Sequence, residues 1–399
     1  MTGRIDVSTH YKWTSKMQFT DPADQKFASL SPAIWRASTV VFDTFEEFAA
    51  RKTRQPDGYS YGITGTPTAR ELERRIATLE NAHHCVVVPS GQAALMLSVM
   101  AFVRGGDHLL ISDSCYGALK TFARNWLSQM GVEVEFYPPT VNAAIETHIR
   151  PNTRMICMEA PGTVTMEMQD VAAIVTIAKK YGVKTMLDNT WASPLYFRPL
   201  DHGIDLSIEA ATKMFGGHSD LLMGSISLNH SEDYATLRET QSILGLSTSP
   251  EDCFLVLRGL ETFPLRLQHQ SASTRKIAAW LAEQPQIASV LFPVLETDPG
   301  HEIWKRQFSG SGCLFSFIFR PAKEAAISAF FNTLRHFPIG ASWGGTHSLI
   351  AYYPASQQQA RAYTPTHEAI IRISIGLEDP ELLMADLQQA LFAWQRAAG

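Results

Sequence analysis

The spacing of apolar and polar positions changes twice along the chain. The first sixty residues show weak periodicity, several aromatics and no apolar core of their own, and they read as an arm lying on another subunit. From Cys85 onward, short apolar runs alternate with stretches of helical period, the rhythm of βα units in a mostly parallel sheet covered on both faces. Residues 86–88 run into Pro89, Ser90 and Gly91, and residues 92–103 then read as a helix stopped by Gly105 and Gly106. Strands are expected at 108–112, 132–137, 155–159, 184–188 and 205–208, with 171–181 among the intervening helices. Beyond about Cys253 the pattern becomes a long helix at 254–284, a strand at 312–319, a helix at 322–334, a strand at 369–375 and a last helix at 380–396. These elements divide the chain into an arm (1–60), a large α/β domain (61–255) and a smaller α+β domain (256–399), bridged by the long helix.

Several strands finish in polar residues, namely Asp113, Glu159 and Asp188. In open α/β sheets ligands lie beyond the carboxyl ends of the strands, so these endings mark one functional edge. Charge and composition narrow what that edge binds. Lys plus Arg is 34 against 39 for Asp plus Glu, and a net charge of −5 argues against nucleic acid as the main partner. The longest apolar run, 93–103, contains Ser98 and is about half of the ~20 residues that a bilayer crossing needs, so no membrane span is expected. The first residues, MTGRIDVSTHYKW, show no basic segment, apolar run and small-residue cleavage site, so secretory export is not expected. The five cysteines are odd in number, widely spaced and free of CxxC pairs, as suits reduced thiols in a cytoplasmic protein. His83 and His84 are adjacent, no HxxxH spacing accompanies the cysteines, and no metal site is expected.

Four segments carry candidate chemistry, each with a plainer alternative. In SGQAAL (90–95), Ser90 is a good N-cap, and the amides of Gly91 and Gln92 would point out of the helix start toward an anion such as a phosphate; the alternative is an ordinary capped helix. In ATKMFGGHSD (211–220), Lys213 is a solvated charge or, if desolvated, an amine able to form a Schiff base, with Thr212 beside it as a further phosphate donor. In MLDNTWASP (186–194), Asp188 is an N-cap or the counter-ion of a protonated ring nitrogen, and Tyr116 packs on the rim or stacks on that ring. In IIRISIG (370–376), Arg372 faces water from an edge strand or captures a substrate carboxylate, helped by the SWGG turn at 342–345.

Taken together these segments supply a phosphate cradle, a ring-nitrogen carboxylate, a Schiff-base lysine and a carboxylate clamp, the set of a pyridoxal-phosphate enzyme acting on an amino acid. The chain resembles the cysteine and methionine metabolism family of such enzymes, and within it the β-lyases acting on cystathionine. The resemblance rests on YGITGTPT (61–68), PSGQAAL (89–95), PGTVTMEMQD (161–170), LDNTWASP (187–194), ATKMFGGHSD, SWGG and RISIGLED (372–379), and it covers the chain from Tyr61 to its end.

The resemblance implies a fold-type I α/β enzyme with pyridoxal 5'-phosphate as cofactor. It also implies a homotetramer built from dimers that share active sites. Lys213 would carry the Schiff base, Asp188 would face the ring nitrogen, and Tyr116 would stack on the ring. Gly91, Gln92 and Thr212 would hold the phosphate, joined by Tyr61 from the neighbouring subunit. Arg372, with Ser342 and Trp343, would bind the substrate, and Lys213, Tyr116 and Tyr61 would be the catalytic set. The implied activity is carbon–sulfur β-elimination of cystathionine in methionine biosynthesis and transsulfuration. The alternatives are γ-elimination or γ-replacement on a homoserine-, methionine- or canavanine-like amino acid, and a non-catalytic binder that keeps the fold. Two positions depart from the family. Ile63 stands where an arginine usually serves the neighbour's phosphate, which implies weaker cofactor affinity or a substitute cation. Ala341 stands where β-lyases commonly carry tyrosine and γ-acting relatives glutamate.

Overall fold

The computed structural model describes residues 19–20, 28–359, 361–363 and 368–398. Part of the expected arm, residues 1–18 and 21–27, lies outside the described residues; from 29 to 60 no side chain is buried. Packed structure begins with helix α1 (Pro67–Glu80), where the Thr66 hydroxyl accepts the Ala69 N–H and Pro67 fills a first-turn position that needs no N–H. It leads into β1 (His84–Val88) and α2 (Gly91–Phe102). Then follow β2 (His108–Ser112), β3 (Glu133–Tyr137), β4 (Thr153–Glu159), α3 (Val171–Tyr181), β5 (Lys184–Asp188), β6 (Leu206–Glu209) and β7 (Gly224–Leu228).

The seven strands form one sheet in the order β1-β7-β6-β5-β4-β2-β3. It is parallel except for β7, which runs antiparallel to both its neighbours. Alternate side chains enter two separate cores. Leu110, Ile156, Met158 and Leu187 pack on one face, and Leu109, Ile111, Met155, Cys157 and Met186 on the other. Because burying each such side chain is worth roughly 1.5–3 kcal/mol, a one-residue slip would exchange the faces, and the register is fixed.

Helix α4 (Ser231–Leu244) precedes the 33-residue α5 (Pro250–Ala282). The C-terminal part adds β8 (Ile287–Leu291), β9 (Leu314–Phe319), α6 (Glu324–Thr333), β10 (Leu349–Tyr353), β11 (Ile370–Ser374) and α7 (Pro380–Ala398). Its four strands form an antiparallel sheet in the order β8-β9-β11-β10, so Arg372 lies on an inner strand and not an edge. The core that holds Leu110 and Leu187 continues through Phe263 and Leu267 of α5 into Phe315, Phe317 and Ile373 of the small sheet. One apolar cluster therefore spans both sheets. All five cysteines are free and buried. Among the described residues no helix is long and apolar enough to cross a membrane.

The strand β7, which the sequence pattern does not mark, matters to the site because it brings Gly224 against the start of α2. A Cβ on Gly224 would lie 2.3 Å from the Ser90 carbonyl oxygen and 2.8 Å from the Gly91 Cα. Gly224→Ala is therefore expected to push the N-cap of α2 out of place, costing about 1–3 kcal/mol of stability in denaturant titrations. The variant should also bind pyridoxal phosphate more weakly in a fluorescence titration; unchanged stability and cofactor affinity would show that this approach does not shape the helix start.

Candidate active site

The carboxyl ends of β1, β4, β5 and β6 open on one edge of the large sheet. At β1, the Ser90 hydroxyl accepts the Ala93 N–H at 3.0 Å, and the Ser90 carbonyl accepts the Ala94 N–H at 3.0 Å. The amides of Gly91 and Gln92 precede the first intrahelical donor, the Ala94 N–H, and point out of the helix start, where the dipole favours an anion. A Cβ on Gly91 would come 2.6 Å from the Ala210 Cβ, so only glycine lets the helix start sit against the exit of β6.

That exit carries Lys213. The Lys213 N–H donates to the Ala210 carbonyl at 2.8 Å, the Gly216 N–H to Ala211 at 2.8 Å and the Gly217 N–H to Lys213 at 2.7 Å, which winds residues 210–217 into a compact turn. Gly217 has φ +73°, a conformation that L side chains rarely adopt. The Thr212 hydroxyl donates to the Met223 carbonyl at 3.0 Å and accepts the Met223 N–H at 2.9 Å, so in this structure it ties the turn to the start of β7.

The Lys213 side chain is half-buried, with Nζ donating to the Ser342 hydroxyl at 2.9 Å and lying 5.4 Å from the centre of the Trp343 ring. Loss of hydration, with the Arg372 guanidinium as a second cause, lowers its pKa to about 8 against the opposing pull of Asp188. The amine is thus poised between its charged and neutral forms near physiological pH.

Asp188 ends β5, in register with Glu159 of β4 and Ile208 of β6. Its Oδ1 accepts the Thr190 N–H at 3.1 Å and the Thr190 hydroxyl at 2.6 Å, and that hydroxyl in turn accepts the Ala210 N–H at 2.9 Å. Its Oδ2 has no donor among the described residues. Burial pushes the Asp188 pKa up, and the two bonds from Thr190 oppose that rise. Next to it, burial and then the Asp188 charge push Glu159 well above the usual carboxylate range. Glu159 accepts the Tyr116 backbone N–H at 2.6 Å and the Thr163 hydroxyl. The Tyr116 ring, at the start of the short helix Gly117–Phe122, is exposed.

The small sheet contributes Arg372, which is 6% exposed. Its Nη2 donates to the Ala341 carbonyl at 2.5 Å, its guanidinium lies 5.1 Å from the centre of the Tyr353 ring, and it has no ion pair among the described residues. A buried guanidinium with one carbonyl and one ring face for company has donors left for a planar anion.

The structure thus gathers Lys213, Asp188, Arg372, Ser342 and Trp343, with Gly91 and Thr212 one contact away through Ala210 and the turn. Tyr61 stands apart. It is 55% exposed and lines a separate cleft with Arg36, Ile63, Thr248 and Glu251. Thr190, Glu159 and Tyr353 are residues that sequence reasoning did not assign. Thr190 had a local signal, since an aspartate commonly accepts the N–H two residues on. Glu159 was visible only as a polar strand ending, and its partners come from elsewhere in the chain.

A model of the Cys/Met metabolism PLP-dependent enzymes matches residues 14–392. The chain belongs to that family. Its cofactor is pyridoxal phosphate, and its fold is that of fold-type I. It is 42% identical to a putative cystathionine beta-lyase of Rhizobium johnstonii over 94% of this chain and 93% of that one. It is 36% identical to an L-alanine/L-glutamate racemase of Wolbachia pipientis over 91% of this chain and 92% of that one. A crystal structure of cystathionine gamma synthase from Xanthomonas oryzae pv. oryzae, in complex with cystathionine, superposes with a TM-score of 0.88 at 29% identity, covering 98% of this chain and 99% of that chain. Relatives of nearly full length thus carry different reactions on one scaffold.

The electrostatics of Lys213 are open to direct measurement in the protein freed of cofactor. Only the neutral amine is nucleophilic, so acylation of Lys213, followed by mass spectrometry of its peptide, should reach half its maximal rate near pH 8 and not near the ordinary 10.5. Arg372→Leu removes a cation that disfavours the ammonium and should move the midpoint upward. A native midpoint at 10 or above would contradict the desolvated environment.

Proposed function

We propose that the protein is a carbon–sulfur lyase that splits cystathionine by β-elimination into homocysteine, pyruvate and ammonia. The observation that carries this reading is the half-buried Lys213 amine, which feels both the Asp188 carboxylate and an Arg372 guanidinium that has no ion-pair partner among the described residues. The residues present fit pyridoxal phosphate. Asp188 Oδ2, without a donor among the described residues, could accept a hydrogen bond from a protonated ring nitrogen, the amides of Gly91 and Gln92 face an anion, and the exposed Tyr116 ring offers a stacking surface. Tyr61, remote from Lys213 in its own chain, suits a phosphate contact in a neighbouring subunit, as in a homotetramer of dimers with shared sites. Exposed Leu222, Ile243 and Leu265 are further apolar surface suited to such assembly.

When bound, the cofactor supplies a sink for the electron pair left at the substrate Cα. Arg372 binds the substrate carboxylate through the N–H groups that Ala341 does not use, and Ser342 orients the Lys213 amine through its hydroxyl. Lys213 Nζ in its neutral form would accept the Cα proton. The Cβ–S bond then breaks with its electron pair on sulfur, and the proton held on Lys213 is returned to the departing thiolate. Water hydrolyses the remaining three-carbon unit to pyruvate and ammonia. The two Thr190 bonds oppose the effect of burial on Asp188 and so favour the charged form that would hold a proton on the ring nitrogen.

Support for β- over γ-elimination comes from the Rhizobium relative's name, from the Ser342-Trp343 pair and from the absence of an acid at Ala341. The γ-acting reading draws on the Xanthomonas neighbour and on the absence of the tyrosine common at position 341 in β-lyases. Identification of the keto acid separates them. Cystathionine, cystine, methionine and canavanine should be tested in parallel with Lys213→Ala, which should be inactive and should retain no covalently attached cofactor after borohydride reduction. Pyruvate from cystathionine is the expected product; 2-oxobutyrate as the sole product would replace the reading with the γ-acting one, and full activity in Lys213→Ala would end it.

Ala341 offers a clean probe of specificity, because its carbonyl anchors Arg372 while its methyl group faces outward. A methyl in place of a larger side chain leaves room for the distal part of a substrate, so cystathionine and other long side chains should be accepted and cysteine turned over weakly. Ala341→Tyr should lower kcat/KM for the bulkiest leaving groups more than for cystathionine, by roughly tenfold for a misfitted group. An identical substrate ranking in both proteins would show that the position does not shape the pocket.

A further inference from the structure

Two side chains on α5 that touch neither Asp188 nor Arg372 reach the backbone of both turns that meet at Lys213. Arg266 is 7% exposed and has no carboxylate partner among the described residues. Its Nη2 donates to the Met214 carbonyl at 2.9 Å and the Gly259 carbonyl at 2.9 Å, and its Nε to the Thr262 hydroxyl at 3.1 Å. Burying a guanidinium without a counter-ion is costly, and burial lowers its pKa to about 10. What it receives in return is the backbone of the Lys213 turn. A Cβ on Gly217 would stand 1.8 Å from Arg266 Nη1, and one on Gly259 would stand 2.3 Å from the Phe215 carbonyl, so helix and turn are in backbone contact.

One helical turn further on, Gln270 is 1% exposed, and its Nε2 donates to the carbonyls of Gly345 at 2.8 Å and Ile375 at 3.1 Å. The first ends the SWGG turn; the second follows the strand that carries Arg372. The two turns also touch each other directly, for a Cβ on Gly344 would lie 3.0 Å from the Lys213 Cβ, and one on Gly345 would lie 2.2 Å from the Ser219 hydroxyl. Residues four apart share one helix face, so a single rigid element holds both partners.

We propose that Arg266 and Gln270 are positioning residues that fix the Lys213 turn against the Ser342–Gly345 turn and the exit of the Arg372 strand. The inference rests on the roles assigned above to Lys213 and Arg372. Arg266 sets the base, and Gln270 sets the carboxylate clamp. A displacement of about 1 Å at a reacting group can cost on the order of a hundredfold in rate, so the two sides should fail differently.

The test compares Arg266→Lys, which keeps the charge but loses the fork of donors, with Gln270→Met, which keeps the volume but loses the amide. Steady-state kinetics of keto-acid release from cystathionine are combined with the pH midpoint of Lys213 acylation in cofactor-free protein, and circular dichroism checks folding. Arg266→Lys should lower kcat by about tenfold or more with KM changed less than about threefold, and should shift the acylation midpoint upward as the amine gains water. Gln270→Met should raise KM by about tenfold with a smaller effect on kcat. Folded variants with native kcat, KM and midpoint would overturn the proposal, as would equal losses in both variants with an unmoved midpoint. Should Arg266→Lys not fold, Gln270→Met alone decides, an unchanged KM counting against the proposal. Lys213→Ala, run alongside, separates the two levels: activity there defeats the functional reading, whereas native behaviour of the α5 variants with Lys213→Ala inactive defeats only this inference.

Discussion

The close approach of two backbone turns, one from each sheet, is the constraint on which the site depends. Residues 210–217 and 342–345 come so near that the Cα of Gly344 has no room for a large substituent facing Lys213. This contact desolvates the Lys213 amine, brings the Ser342 hydroxyl within 2.9 Å of it and sets the Trp343 ring beside it. Glycine at 344 and 345 makes the contact possible, because a Cβ there would meet Lys213 or Ser219, and glycine at 217 leaves room for Arg266 of α5 on the other side. The continuous apolar cluster through α5 supports it from behind.

Around that contact the charges are arranged by origin. The large sheet delivers acids, Asp188 and Glu159, from neighbouring strand ends, and the small sheet delivers the cation Arg372 from an inner strand. Burial opposes the ionised form of all three, so each depends on polar support nearby. Asp188 has it from Thr190, Glu159 from Tyr116 and Thr163, and Arg372 from Ala341 and the face of Tyr353. The Asp188 charge on the adjacent strand adds to burial in raising the Glu159 pKa. Thr190 opposes the effect of burial at Asp188, while at Glu159 burial and the Asp188 charge act in the same direction, against the ionised form.

The elements that sequence missed were missed for physical reasons. Helix α1 carries Glu73, Arg75 and Glu80, all buried, so charge stands where an amphipathic pattern expects apolar residues. Glu73 and Arg75 have local partners in Arg70 and Glu71, but Arg238 and Ser207, more than a hundred residues away, supply the further partners of Glu73 and Glu80. Strand β7 is short and alternates the buried Ser225 and Ser227 with Ile226 and Leu228, so its apolar signal is halved. By contrast, β2, β4 and β5 are buried on both faces, and their unbroken apolar runs announced them.

Local physics therefore settled a good deal from the sequence alone. The alternation of apolar runs with helical stretches determined a mostly parallel α/β sheet, since no other arrangement buries such strands on both faces. The polar residues that stop those runs determined which edge of the sheet carries chemistry, and the unusual residue types in ATKMFGGHSD, LDNTWASP and IIRISIG pointed to an amine, a carboxylate and a guanidinium. Whether that lysine is solvated or desolvated, whether that aspartate caps a helix or keeps an oxygen free, and whether that arginine lies on an edge or inside a sheet were decided by tertiary structure. Each of these depends on groups brought from distant parts of the chain, and the free energy of a charge is set by the water and partners around it, which no local stretch of sequence contains.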